Sequence, residues 1–308
     1  MESFDLRVRD FNLGLTLGSG QVFHWATSDG CHWHGMLGKH FYHLHQPKAS
    51  FLRVHTTASP SLGRQDLSHY FGLDQSLQRI LKSFPKDPLM REATHAYKGL
   101  RLLRQDPWVT LVSFILSSTK QILQIRQTVQ EISCRFGSPH AIQTHHSPAW
   151  AFPDPAQLVQ AGESRLRACR MGYRAKYLYQ TACLIQEGQI HLDSLRTCSL
   201  EEAREVLMQC PGVGPKIAEC VLLFGYGFQE AFPMDVWIRR ILEDYYLPGQ
   251  KSSVAQVQAF AADYFGPHSG YAQQYLFDHV RNLPSEVWQA MVKASPFAQG
   301  SSGNFNRP

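Results

Sequence analysis

Several things are scarce in this chain of 308 residues. Only 18% of its residues are charged, against 44% hydrophobic. That balance excludes a highly charged, disordered chain and implies a sizeable packed core. Paired cysteines are missing too. The seven cysteines (31, 134, 169, 183, 198, 210 and 220) are scattered, odd in number and form no CxxC. Reduced thiols in an intracellular protein are expected, not a disulfide scaffold. No cysteine follows Cys220, so a C-terminal cysteine-ligated cluster is not expected. No apolar run reaches membrane-spanning length, and Met1-Glu2-Ser3-Phe4-Asp5 is unlike a signal peptide. The expected setting is therefore not secreted and not membrane-bound: cytoplasm or nucleoid in a bacterium, nucleus in a eukaryote. The formal net charge of +5 is modest. It suits a nucleic-acid partner without demanding one.

What is present falls into two patterns. Residues 1 to about 60 alternate between turn signals and short apolar runs. Val22–Ala26, His32–Met36 and His40–Leu44 read as antiparallel strands, with turns at Ser28-Asp29-Gly30 and Gly38-Lys39. After Pro60 the apolar residues recur at helical spacing. From Asp106-Pro107 onward only helices are expected, near 108–136, 155–169, 173–187, 199–209, 214–226, 235–246, 252–265 and 268–281, with a long loop from Ser138 to Pro155. The expected class is α+β. A small antiparallel sheet domain with two helices (1–106) precedes an all-helical domain (107–289), and a polar tail follows (290–308).

The stretch with most chemistry in it is Cys210-Pro211-Gly212-Val213-Gly214-Pro215-Lys216. Two glycines around one apolar residue permit a tight turn and close approach to another surface. Apolar residues at helical spacing on both sides make this a helix–hairpin–helix, a natural seat for a phosphate. Lys216 lies in the first turn of the second helix. The positive helix end and burial both disfavour an ammonium there, which favours an amine nucleophile. Nineteen residues later Asp235 reads as a helix N-cap. The histidines at 32, 34, 40, 43 and 45 share strand faces but form no fixed metal-ligand motif.

Hairpin, lysine and aspartate together resemble the helix-hairpin-helix DNA glycosylases with lyase activity. Further stretches follow in the same order. They are Leu15–Trp25 with its glycine turn, Tyr70–Asp74, Gly99–Pro107, Ser113–Ser118, Met171–Tyr177 and Gly270–Phe277. From about residue 12 to 283 the chain is similar to the eukaryotic-type 8-oxoguanine DNA glycosylase/AP lyase family. The resemblance implies a duplex-DNA partner bearing damage, a monomer, and no required cofactor or iron–sulfur cluster. It makes Lys216 the nucleophile toward C1′ and Asp235 the stabiliser of developing positive charge. A base inside a duplex must be flipped out to reach them. Phe277 and Cys220 would cover its two faces, and Gln273 would read its Watson–Crick edge. Gly20 would offer the carbonyl that accepts from N7–H of the lesion and repels the bare N7 of guanine. Tyr173 would fill the emptied stack, and Arg174 would meet the orphaned partner base. Gly212, Val213 and Gly214 would grip a DNA phosphate. The backbone carbonyls of Met208, Cys210 and Val213 would hold a monovalent cation.

The chain also departs from that family. Thr119-Lys120-Gln121 stands where relatives carry asparagines, which leaves Thr119 as a weak orphan-base contact, and Gln124 stands where many carry a second arginine. Trp237 replaces the histidine after the catalytic aspartate, and Val280 its acidic partner. Apolar packing in place of an ion pair is the expectation. Two rival readings keep their place: a non-catalytic helix-hairpin-helix DNA-binding protein, and a monofunctional alkylated-base glycosylase that activates water. The second lacks a hairpin lysine.

Overall fold

The computed structural model describes residues 1–118, 120–143, 148–250 and 252–298. In chain order the elements are β1 (Glu2–Arg7), α1 (Leu13–Gly18), β2 (His32–Leu37), β3 (His40–Lys48), β4 (Phe51–Thr56), α2 (Pro60–Tyr70), α3 (Leu77–Lys82), α4 (Pro88–Ala96), α5 (Pro107–Ser117), α6 (Ile122–Phe136), β5 (Pro139–Gln143), β6 (Pro148–Trp150), α7 (Pro155–Leu166), α8 (Arg174–Gln186), α9 (Leu200–Met208), α10 (Pro215–Val221), α11 (Val236–Ile241), α12 (Val254–Phe265), α13 (Ser269–Arg281) and α14 (Ser285–Lys293). Contacts group them into two units: residues 1–76 with 99–228, and residues 77–98 with the chain from Gln229 onward.

In the first unit, four antiparallel strands run in the order β1-β4-β3-β2. Phe4 faces Val54, Val54 faces Leu44, and Leu44 faces Trp33, so one sheet face is a continuous apolar row. These residues bury with Leu52 of the sheet, Leu67 and Tyr70 of α2, and Phe71. The predicted strand at Val22–Ala26 does not form. Only Ala26 bridges, to His34. The polar groups of this stretch are claimed elsewhere. The Gln21 side-chain amide donates to the Arg101 carbonyl at 2.8 Å, its oxygen accepts from Leu103 N at 2.8 Å, and its own carbonyl accepts from Gln105 Nε2 at 2.8 Å. The Arg101 guanidinium in turn donates to the carbonyls of Arg9, Asp10, Gly72 and Gln75. Polar bonds of this kind pin the Gly20 turn to the chain that leads into α5.

α5 begins as its sequence requires. Asp106 Oδ1 accepts from Val109 N at 2.9 Å, and Pro107 takes the first helical position. The single helix expected over 108–136 is two. α5 stops at Ser117, and Gln121 starts α6 through a reciprocal capping box with Gln124. The long loop expected at 138–155 contains the antiparallel pair β5–β6, so the region after residue 106 is mostly, not wholly, helical.

The second unit is helical among its described residues, with α4 and α11 packed on α13. Asp87 caps α4 by accepting from Met90 N at 2.9 Å. It also accepts from the hydroxyls of Tyr246 and Tyr264, at 3.2 and 3.1 Å. Burial pushes this carboxyl above the usual range despite those donors. Residues 290–298, expected as polar tail, complete α14 and then pack. Ser295 Oγ donates to the Tyr245 carbonyl at 2.6 Å, and the Phe297 ring lies against Tyr245, Tyr246 and Tyr264. Among the described residues no helix is long and apolar enough to cross a membrane.

Candidate active site and nucleic-acid interface

The hairpin joins α9 to α10. Ser199 starts α9 with a capping box to Glu202. The buried carboxylate of Glu219 on α10 pairs with Arg204 on α9, which ties the two helices together. Between them Val213 N donates to the Cys210 carbonyl at 3.0 Å, closing the turn. Gly212 has φ +80°, and a Cβ there would lie 2.5 Å from the Tyr177 ring. Both backbone and space therefore require glycine. Gly214 caps α10, with its carbonyl accepting from Ile217 N and Ala218 N at 3.0 Å.

Lys216 follows as the second residue of α10 and is half-buried. Its Nζ lies 5.9 Å from the Phe114 ring centre. Phe114 stacks on Phe224 and meets Phe23 edge-on, each at 5.6 Å. Phe114 and Phe224 were not singled out by sequence reasoning, since apolar residues on helices read as core. Cys220 is buried one helical turn beyond Lys216. Gly20, three residues before Phe23, has φ +84°, a backbone state that glycine adopts readily. Near it burial pushes His24 down to about 4, so this imidazole is neutral.

The hairpin and the Tyr173–Arg174 pair line one groove of about 560 Å³, together with Ser118, Tyr177, Met208 and Cys210. Tyr173 is 53% exposed, although aromatic, and stands edge-on to Tyr177 at 5.7 Å. Arg174 is not the exposed arginine a helix start suggests. It is 6% exposed, donates to the carbonyls of Ser118 and Met171, and lies 4.5 Å from the Tyr173 ring. Gln124 is turned back on its own helix, accepting from Gln121 N at 3.1 Å. Thr119 lies outside the described residues.

The second unit carries Asp235, Gln273 and Phe277. Asp235 is the N-cap of α11, with Oδ1 accepting from Ile238 N at 2.8 Å. The cap occupies one carboxylate oxygen. Gln273 and Phe277 share a face of α13, four residues apart. Gln273 is buried, and its Oε1 has no hydrogen-bond partner among the described residues, a state that invites a ligand donor. Phe277 is flanked by the Arg281 guanidinium at 4.7 Å. Burial pushes the Asp278 carboxyl up to about 7, against the Gln274 amide and the Arg281 charge. Val280 is buried, whereas Trp237 is 44% exposed, more than simple apolar packing would leave. Among the described residues no group of three or more His, Cys, Asp or Glu could hold a metal ion.

Residues 3–111 match the family described as 8-oxoguanine DNA glycosylase, N-terminal domain, and residues 112–267 the HhH-GPD superfamily base excision DNA repair protein family. An Arabidopsis thaliana N-glycosylase/DNA lyase is 32% identical over 295 residues, covering 90% of this chain and 79% of that protein. The structure of MBOgg1 with a low-affinity DNA ligand superposes with a TM-score of 0.85 at 36% identity, covering 91% of this chain and 95% of the other. The Clostridium acetobutylicum 8-oxoguanine glycosylase/lyase, bound to duplex DNA with cytosine opposite the lesion, gives 0.82 at 28% identity, over 90% and 97%. The chain belongs to the 8-oxoguanine DNA glycosylases of the HhH-GPD base excision repair superfamily.

Proposed function

We propose that this protein is a bifunctional DNA glycosylase and AP lyase that excises 8-oxoguanine from duplex DNA. Lys216 is the nucleophile. The lone pair of Nζ attacks C1′ of the flipped nucleotide, and the C1′–N9 bond breaks with its electron pair leaving on the base. The aminal so formed loses the ring oxygen from C1′ to give a Schiff base. Loss of a C2′ proton then drives β-elimination and nicks the strand on the 3′ side. Asp235 stabilises the positive charge that builds on the sugar as the base departs. Gln273 reads the base edge, Phe277 and Cys220 cover its faces, and the Gly20 carbonyl selects the N7–H of the lesion. Tyr173 and Arg174 hold the gap in the duplex, and the Gly212–Gly214 hairpin grips a phosphate.

The observation that carries this reading is the position of Lys216. It follows directly on a glycine hairpin whose groove also holds the exposed Tyr173. A phosphate-gripping module alone has no use for a half-buried amine at that place. A monofunctional, water-activating glycosylase has none either. The protein is proposed to act as a monomer on damaged duplex DNA, in nucleus or nucleoid, with 1–106 and 107–289 as its domains. No cofactor is required of the chemistry. The carbonyls of Met208, Cys210 and Val213 are hard oxygen donors that would hold a monovalent cation, which would add positive charge beside the hairpin.

Duplexes with 8-oxoguanine opposite each of the four bases test the proposal under single-turnover conditions. Base release with strand nicking is expected on all four, fastest opposite cytosine. Binding without base release would leave only the phosphate-gripping module.

A further inference from the structure

The loop before α8 follows an unusual path. Arg170 has φ +58° and ψ 28°, a left-handed state that costs a residue with a side chain energy, and Gly172 follows at φ +59°. The next two residues are Tyr173 and Arg174, the proposed wedge. Something must hold this path, and the structure shows what does. Lys120 Nζ donates to the Arg170 carbonyl at 3.1 Å and to Thr128 Oγ1 at 2.9 Å. Thr128 is itself fixed, donating to the Gln124 carbonyl at 2.9 Å. The Ser118 carbonyl accepts from Arg174. Lys120 and Ser118 thus hold the loop on both sides of Tyr173. Burial and the nearby Arg174 charge both hold the Lys120 ammonium below the usual lysine range.

We infer that Lys120 is a positioning residue for the wedge: its ammonium keeps the strained Arg170 turn in the conformation that presents Tyr173 and Arg174 to the duplex. The inference rests on the excision reading above. Lys120 acts through the loop and touches neither lesion nor sugar. Its effect should therefore appear where the wedge has work to do. A paired, stacked base must be displaced before excision. An abasic site has no base to unstack, so Lys216 can reach its C1′ with less help.

The test compares three proteins: wild type, Lys120→Met, and Lys120→Met combined with Arg170→Gly. Glycine adopts the positive φ without strain, so it should replace the clamp. Each is measured on a duplex with 8-oxoguanine opposite cytosine and a neighbouring 2-aminopurine, which brightens when stacking is disrupted. Each is also trapped with borohydride on a duplex holding a ready-made abasic site. Lys120→Met is expected to lose about tenfold in single-turnover excision and most of the fluorescence rise, while trapping stays within about twofold. The double variant should recover most of both losses. The inference is overturned if Lys120→Met excises at the wild-type rate, if excision and trapping fall equally, or if glycine at 170 restores nothing. A wild-type protein that releases no 8-oxoguanine would instead refute the excision reading itself.

Discussion

Two turns in the first unit solve the same backbone problem differently. At the hairpin, the left-handed residue is Gly212, and a side chain there would strike the Tyr177 ring. At the loop before α8 it is Arg170, which pays for the same φ with strain and is held by Lys120. The hairpin is closed locally, by Val213 N donating to the Cys210 carbonyl, and packs against Tyr177. The loop depends on a lysine fifty positions earlier. A rigid turn suits a phosphate grip and a nucleophile that must be placed the same way every time. A turn held by side chains from elsewhere in the chain, Lys120 on Arg170 and Arg174 on the Ser118 carbonyl, ties the proposed wedge to the residues that follow α5.

The contrast can be broken most severely at the hairpin's end. Lys216→Gln should abolish base release and nicking on a labelled duplex while lesion binding stays nearly intact, since gripping the phosphate does not need the amine. Nicking that survives would remove Lys216 from the mechanism. Asp235→Asn lies outside both turns and serves as a control. Asparagine still caps α11 but carries no charge, so the melting temperature should hold while single-turnover excision falls on the order of a hundredfold. Gly212→Ala attacks the hairpin's geometry. Strain and the clash with Tyr177 should cost about 3 kcal/mol in denaturant unfolding, with weaker DNA binding. An unchanged midpoint would mean that the turn is not as constrained as Gly212 and Tyr177 suggest.

The loop's own variants have smaller effects. With Gln124 turned back into its capping box, Arg174 is the cation proposed to meet the orphan base, and its guanidinium would have to leave the Ser118 and Met171 carbonyls to do so. One bidentate contact is worth about 1–3 kcal/mol, so the preference for cytosine over the other partners should be modest. Arg174→Ala should flatten it in single-turnover rates on the four duplexes. A wild-type preference above roughly a thousandfold would exceed one such contact and would mean that another residue reads the orphan. Arg170→Gly alone should be the mildest change. Relief of strain, offset by the looser unfolded chain, should raise the melting temperature by about 1–2 °C with excision nearly unchanged. A marked fall would show that Arg170 is there for its side chain.

The same contrast explains what the sequence discloses. Gly212-Val213-Gly214 and the Asp235 cap are local devices, written in consecutive residues, and they were legible as a turn and a helix start. Lys120 was read only as a departure from the family, because its partner carbonyl belongs to a distant residue. The sequence offers Arg174 as an orphan-base contact, and nothing nearby in it announces the Ser118 carbonyl to which the guanidinium donates. Val22–Ala26 has strand residues, yet the Gln21 and Gln105 amides take its neighbours' backbone groups and no ladder forms. β1 and β4 carry the apolar–polar alternation of half-buried strands at Phe4, Leu6, Leu52 and Val54, a signal present in the sequence but not used in reading it. The break after α5 did leave a trace, since Gln121 and Gln124 have capping-box spacing. So did α14, whose Trp288 is buried against Tyr245.

A covalent trap tests the role of Lys216 most directly. The wild-type protein, incubated with an 8-oxoguanine duplex in the presence of borohydride, should yield a stable protein–DNA adduct. Proteolysis and mass spectrometry should then place the reduced deoxyribose remnant on the Lys216 Nζ. Base release with no adduct, or an adduct on any other amine, would contradict the assignment of the hairpin lysine as the nucleophile.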